Sequence, residues 1–460
     1  MSDPVAVELL PAKSWPGQSA LPPVAGDDST YVWYVATALM VELVGGPAIG
    51  VLMYLARSGL LPSHLPELVQ AHGSLQLLGW AGLFVAGMAQ RLVPRLAGRP
   101  PVRTAALPLL VLLAGGAVLR AVGQAVGTAP GGTVALAGSL LSAAGIIGVA
   151  VVLAASLRKR HSPMAGWVVL AWSGCAWWGV WAILEAWGGV LGASNAGLVP
   201  AWFDEPAVLV VTLGGIGSFI WAIQSRMVPI FFGRKQPTLG ALAGPAVIYN
   251  LGLLVILVTL VMAAAGRGVG PDGSIVSAGL GLVGVGVIWL AAAAGAVTGA
   301  PHRLRAASRP LARFVVSADR WAVVAGVMWI AALTGPLIYQ GAPRRNFADA
   351  ALHAYGTGVI TMLIAGMVQM VAPVFARARI EARPPGLMER SVWPLLWGAT
   401  AARVAGALAG GYAGGHAFTV LAALSGVLGW AGLAALAGLL VAAWRRNLRT
   451  DAPVPGPTSG

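Results

Sequence analysis

Twelve apolar stretches, each long enough to cross a bilayer, constrain this chain more than anything else in it. They fall at 32–56, 71–94, 105–125, 133–157, 165–190, 205–232, 241–265, 276–299, 318–340, 350–375, 392–412 and 416–443. About 20 residues of helix span the hydrocarbon. There, every backbone polar group must be satisfied within the protein, which a helix does inside its own segment. The expected fold is therefore an all-α integral membrane protein with twelve transmembrane helices. Charged residues make up only 10% of the 460, against roughly a quarter in a soluble domain, and the mean hydropathy is +0.80. The 63 glycines suit helices that pack backbone against backbone.

The loops set the orientation. With the N-terminus inside, only Arg57, Arg120, Arg267, Arg344, Arg345 and Arg403 fall on the outer side or its helix ends, which leaves 23 of the 29 Lys and Arg inside. Inner loops carry that excess, so both termini are expected in the cytoplasm and the chain in the inner (plasma) membrane, in contact with lipid. The net charge of +14 then serves topology, and no nucleic-acid partner is expected. Cys175 is the one cysteine, which excludes disulfides and cysteine-ligated clusters. Residues 1–30 read as a disordered cytoplasmic tail, 31–445 as the membrane domain and 446–460 as a second cytoplasmic tail.

Three of the stretches share a signature. The second carries Gly79, Gly82, Gly87 and Pro94; the sixth Gly214, Gly217, Ala222 and Pro229; the tenth Gly358, Thr361, Gly366 and Pro373. The interval from first glycine to proline is the same in all three, and the prolines lie 135 and 144 residues apart, four spans each time. This self-similarity points to three pseudo-repeated four-helix units, at about 31–160, 161–300 and 301–445. Gln90 and Gln369, each four residues before its proline, read as a shared structural bond.

Of six histidines, His161 and His302 lie in basic inner loops and His64 in an outer one. His72, His353 and His416 stand at the outer ends of spans. His72 precedes its repeat glycine by seven residues and His353 by five, so the two lie within about 3 Å of one another in depth. Two imidazoles at matched depth could grip a planar metal macrocycle from both faces. The two-residue offset turns one side chain by about 200° relative to the other, so a local helix irregularity or a slipped register is needed for both to point inward.

The stretches "AHGSLQLLGWAGLFVAGMAQRLVPRLAGR" and "LHAYGTGVITMLIAGMVQMVAPVFAR" resemble the second and tenth helices of the NnrS family, and the whole architecture resembles the catalytic subunit of haem–copper oxidases. The resemblance implies a cytochrome oxidase subunit I-like fold and haem b, one or two, with His72 and His353 as the axial ligands of the first and Tyr355 or His416 holding a second. It also implies a role in nitric oxide response, denitrification or membrane electron transfer, with nitric oxide or an electron donor met on the outer face. The chain departs from the oxidases where they hold copper. Span 6 has no histidine, span 7 offers Tyr249 and Asn250, and His353-Ala354-Tyr355 stands in place of His-x-His. A three-imidazole copper centre is not expected there, nor is proton-pumping oxygen reduction; an oxidoreductase of this kind would act on nitric oxide.

Arg344 and Arg345, one loop before His353, would suit haem carboxylates. Gln76, one turn below His72, faces either the ring edge or a neighbouring helix. Glu42 reads as the one carboxylate deep in a span, and such a group marks a functional site. Glu185, Asp204 and Glu205 read as solvated, and the tryptophans of "WSGCAWWGVWAILEAWGG" mostly as interface anchors and lipid-facing bulk. Two other functions remain open on these residues: an ion-coupled secondary transporter built around Glu42, and a haem-free assembly partner of a respiratory complex.

Overall fold

The computed structural model describes residues 30–57, 59–60, 65–160, 164–267, 274–300, 304, 309–338, 344–375, 386–412 and 415–450. Every element among them is a helix. In chain order they are α1 (Thr30–Arg57), α2 (Leu65–Leu96), α3 (Ala106–Val126), α4 (Ala129–Arg158), α5 (Gly166–Ala193), α6 (Ala201–Phe231), α7 (Leu239–Ala264), α8 (Ser274–Ala294), α9 (Arg309–Ile338), α10 (from Arg344 to Phe375), α11 (Leu387–Tyr412) and α12 (Gly415–Thr450). Eleven are long and apolar enough to cross a membrane. The exception is α11, whose Glu389, Arg390 and Arg403 lower its hydropathy. Its 26 residues still give about 39 Å of helix.

Three of the helices depart from α geometry. Each of α2, α6 and α10 changes to π-helix for eight residues, over Leu75–Gly82, Val210–Gly217 and Ala354–Thr361. Each then resumes as a 14-residue α-helix with its repeat proline in the last turn: Pro94, Pro229 and Pro373. The π segments therefore start 135 and 144 residues apart, in register with the sequence signature. They also meet. The first touches the second, Trp80 of the first donates to Thr361 of the third at 3.1 Å, and a Cβ on Gly217 of the second would lie 2.8 Å from the hydroxyl of Tyr355 in the third. Such π turns are rare and concentrate at functional sites.

Helices pack on their neighbours in chain order, and α1 returns to pack on α12. α2 touches α1, α3 and α4; α6 touches α5, α7 and α8; α10 touches α9, α11 and α12. Pro47 in α1 removes the donor that the Leu43 carbonyl would have used, and the indole of Trp430 in α12 supplies one at 3.1 Å. Gln90 and Gln369 each donate to the carbonyl one turn back, Ala86 at 3.1 Å and Ala365 at 3.2 Å.

Small residues set the closest approaches. A Cβ on Gly252 of α7 would lie 2.6 Å from the Gly279 carbonyl oxygen of α8. Backbone cannot swing aside as a side chain can, so Gly252→Leu must push the two helices apart. It is expected to cost about 1–3 kcal/mol and lower the melting temperature in detergent. Gly240→Leu at the start of the same helix, where a Cβ meets nothing within 4 Å, should leave it unchanged.

Several sequence expectations need correction. The tryptophans of α5 are core: Trp177, Trp178 and Trp181 are buried, Trp178 donates to the Gly215 carbonyl at 2.8 Å and Trp177 to Asn250 at 2.7 Å. Glu42 is not alone, since Asp319 in α9 is 0% exposed and Glu185 only 5%. α12 continues past Arg445 to Thr450. Residues 1–29 and 451–460, His64, His161 and His302 lie outside the described residues, as do the side chains of Arg344 and His416.

Candidate functional site

One cavity of about 1290 Å³ opens among α1, α2, α6, α10, α11 and α12. It lies at the ends of α2 and α6 opposite those that carry Arg91, Arg95, Arg226 and Arg234. Its lining includes His72, Gln76, Glu42, His353 and Arg345, five of the residues singled out from sequence.

The start of α2 is pinned before it reaches the cavity. Gln70 donates to the Val199 carbonyl at 2.6 Å and accepts from the Val199 amide at 2.9 Å, and Ser74 donates to Gln124 of α3 at 2.7 Å. His72 follows from that anchored turn. Its Nδ1 lies 2.9 Å from the Gly46 carbonyl oxygen of α1. A carbonyl only accepts, so Nδ1 carries the proton and Nε2 keeps its lone pair. Gly46 has no room for a side chain, because a Cβ there would run into the Glu42 carboxylate and the Gln76 amide. Those two form a pair: Gln76 Nε2 donates to Glu42 Oε1 at 2.9 Å. Gln76 thus faces the neighbouring helix. Glu42 is 4% exposed, and its Oε2 has no hydrogen-bond partner among the described residues.

α10 is pinned as firmly. Asn346 donates to the Ala407 carbonyl at 2.9 Å, and Arg345 forms an ion pair with Glu205 of α6 at 2.5 Å. One turn on, Asp349 takes Arg403 of α11 at 3.0 Å. His353, a further turn along, sets its Nδ1 2.9 Å from the Asp349 carbonyl oxygen and 3.1 Å from the Asp349 carboxylate. This ring, like that of His72, has Nδ1 held by acceptors and Nε2 without a hydrogen-bond partner among the described residues. No third His, Cys, Asp or Glu joins them as a metal-ion donor group among the described residues.

Glycines form part of the walls. Gly50, Gly73, Gly356 and Gly426 line the cavity. A Cβ on Gly73, Gly356 or Gly426 would meet nothing within 4 Å, and one on Gly50 would meet only the His72 ring, at 3.9 Å. These positions leave space that a side chain would fill.

Charge lines the rim. Arg120 pairs with Glu185 in the bundle, and Asp204 and Glu205 line the same space. The expectation that Glu185 is solvated is overturned: α3 and α5 bury it with its guanidinium partner, because an unpaired carboxylate at that depth would be far costlier. Arg345 is 67% exposed and engaged by Glu205, whereas Arg403, read from sequence only as an outer-side arginine, points a buried Nη1 that has no hydrogen-bond partner among the described residues. Tyr355 is set back from the cavity. Its ring packs on Trp329 at 5.7 Å between centroids, and its hydroxyl converges with that of Tyr249 on Gly217. Asp349 and the pairing of Arg403 with it went unnoticed in the sequence; the four-residue step from Asp349 to His353 was the one available signal.

No protein-family model matches this chain, and no curated protein matches it.

Proposed function

We propose that this chain is a haem-b-binding membrane protein of the NnrS and oxidase-like group, without the oxygen-reducing copper site, acting in nitric oxide response, denitrification or membrane electron transfer. One observation carries the reading: His72 and His353, on two different helices, line one cavity, each with Nδ1 held by an acceptor and Nε2 unengaged. Metal-binding histidines have that arrangement, because the second-shell acceptor fixes the tautomer and strengthens the ligand. Two imidazoles suit a macrocycle that brings its own four nitrogens and takes axial ligands from the protein.

The wall glycines support the fit, since Gly73, Gly356 and Gly426 leave open space where a side chain would stand. Arg403 Nη1 supplies an unused donor for a haem carboxylate, and Arg345 stands at the same rim. On this reading α2, α6 and α10 are equivalent members of three four-helix units in a twelve-span protein, with both termini cytoplasmic and the cavity toward the outer face of the inner membrane. When bound, haem would supply one-electron chemistry, and the chain's own groups orient it and exclude water.

The test is a reduced-minus-oxidised spectrum of the detergent-purified chain. The reading expects narrow α and Soret bands of a six-coordinate haem b, replaced in both His72→Ala and His353→Ala by the spectrum of high-spin or haem-free protein. A colourless protein from haem-replete cells would instead favour ion-coupled transport, for which the buried Glu42 with an unengaged oxygen on the cavity is the supporting observation.

A further inference from the structure

The two histidines are held very differently. Three features fix His353. Its Nδ1 meets both the carbonyl and the carboxylate of Asp349, at 2.9 and 3.1 Å. The carboxylate is in turn fixed by Arg403 from α11 at 3.0 Å, and Arg403 lies 5.3 Å over the ring of Phe418 in α12. The backbone of His353 is engaged as well, since Thr357 donates to its carbonyl at 2.6 Å. A carboxylate acceptor makes an imidazole a stronger donor to a metal than a neutral carbonyl does.

His72 has one neutral acceptor, the Gly46 carbonyl at 2.9 Å. Beside the ring stands Gly50, which offers no side chain, and next to it in sequence Gly73, beyond which a Cβ would find open space. The ring therefore has room to turn about its side-chain bonds after breaking a single hydrogen bond. One turn further along the same face stands Gln76, bonded to Glu42, whose Oε2 is buried and unpartnered.

We propose that the two axial positions are unequal: His353 is the fixed ligand, and His72 is the ligand that yields to a small neutral guest, to which the second N–H of Gln76, held in place by Glu42, then donates a hydrogen bond. This rests on the haem reading above. The guest's class follows from the surroundings. It must be small, because it enters in place of one imidazole. It must be uncharged, because an anion would meet the Glu42 carboxyl group with no cation to pair it, and a protonated cation has no free lone pair for iron. It must also carry its own lone pair for iron, as a diatomic gas does. The exchange is balanced: His72 withdraws with its Nε2 lone pair, the guest's lone pair takes the position, and no electron or proton moves. Gln76 and Glu42 act here as positioning residues.

The experiment uses the full-length, detergent-purified chain reduced with dithionite, with carbon monoxide as the probe. His72→Ala should keep its haem at the wild-type ratio, turn high-spin and bind carbon monoxide at least tenfold faster than wild type. His353→Ala should lose its haem. In the His72→Ala background, Gln76→Leu and Glu42→Gln should each shift the carbon–oxygen stretching frequency of the bound probe, a readout that a purely structural role would not move. Equal retention of haem in the two histidine variants, retention in His353→Ala alone, or a stretching frequency indifferent to both polar substitutions would overturn the inequality while leaving the haem reading intact. A wild-type protein without haem would instead defeat the reading on which it rests.

Discussion

Gly356→Trp is expected to abolish haem binding while leaving the protein folded. Gly356 lies in the π segment of α10, three residues after His353, and a Cβ there meets nothing within 4 Å. An indole at this position occupies the space between the walls without touching the packed helices. Purified Gly356→Trp should elute from size exclusion like the wild type, keep its helical circular dichroism and contain no haem by pyridine haemochrome assay. Gly358→Trp makes the contrast. Its Cβ would stand 2.6 Å from the Trp321 ring, so that variant should lose yield and stability instead. If Gly356→Trp retained a wild-type complement of haem, the cavity would not be the binding site.

Arg120→Leu is expected to destabilise the protein by about 3–5 kcal/mol, because it leaves Glu185 buried without its guanidinium partner. Replacing both partners removes the uncompensated charge. Arg120→Leu/Glu185→Leu should therefore recover most of the loss, since apolar pairs of similar volume often replace a buried ion pair at little cost. Thermal unfolding in one detergent, followed for the wild type, the two single variants and the double variant, checks this. A double variant less stable than Arg120→Leu alone would show that the pair does more than neutralise itself.

The helices were legible because hydrocarbon leaves a chain little choice: a long apolar run with few charges has to be helical there. The repeat was legible for a similar reason. A proline removes one donor wherever it falls inside a helix, so Pro94, Pro229 and Pro373, recurring at one position in the last turn of three helices, stand out. The π segments were not legible as such. Nothing in the local preferences of Leu75–Gly82 distinguishes π from α; the widening is tied to contacts such as Trp80 with Thr361, 281 positions away in sequence. The histidine offset was the one hint, since it required a local helix irregularity or a slipped register.

Within the site, single residues were easier to find than their partners. His72, His353 and Glu42 stand out because a polar group in an apolar run is costly and conspicuous. The pairs that Asp349 makes with Arg403 and Arg120 with Glu185 were not legible, because only the packing of α10 on α11 and of α3 near α5 joins residues so far apart in sequence. Tyr355 shows the converse. It occupies the position where the oxidase pattern puts a second histidine, but two residues along from His353 its ring turns toward Trp329 and Gly217 and away from the cavity.

The central claim is that imidazoles from α2 and α10 share one iron. Electron paramagnetic resonance of the oxidised, detergent-purified chain tests it most directly. The account predicts a low-spin ferric signal of bis-imidazole type, converted to high spin in His72→Ala. A wild-type spectrum with only high-spin iron, or with no ferric haem signal at all in protein from haem-replete cells, would contradict it.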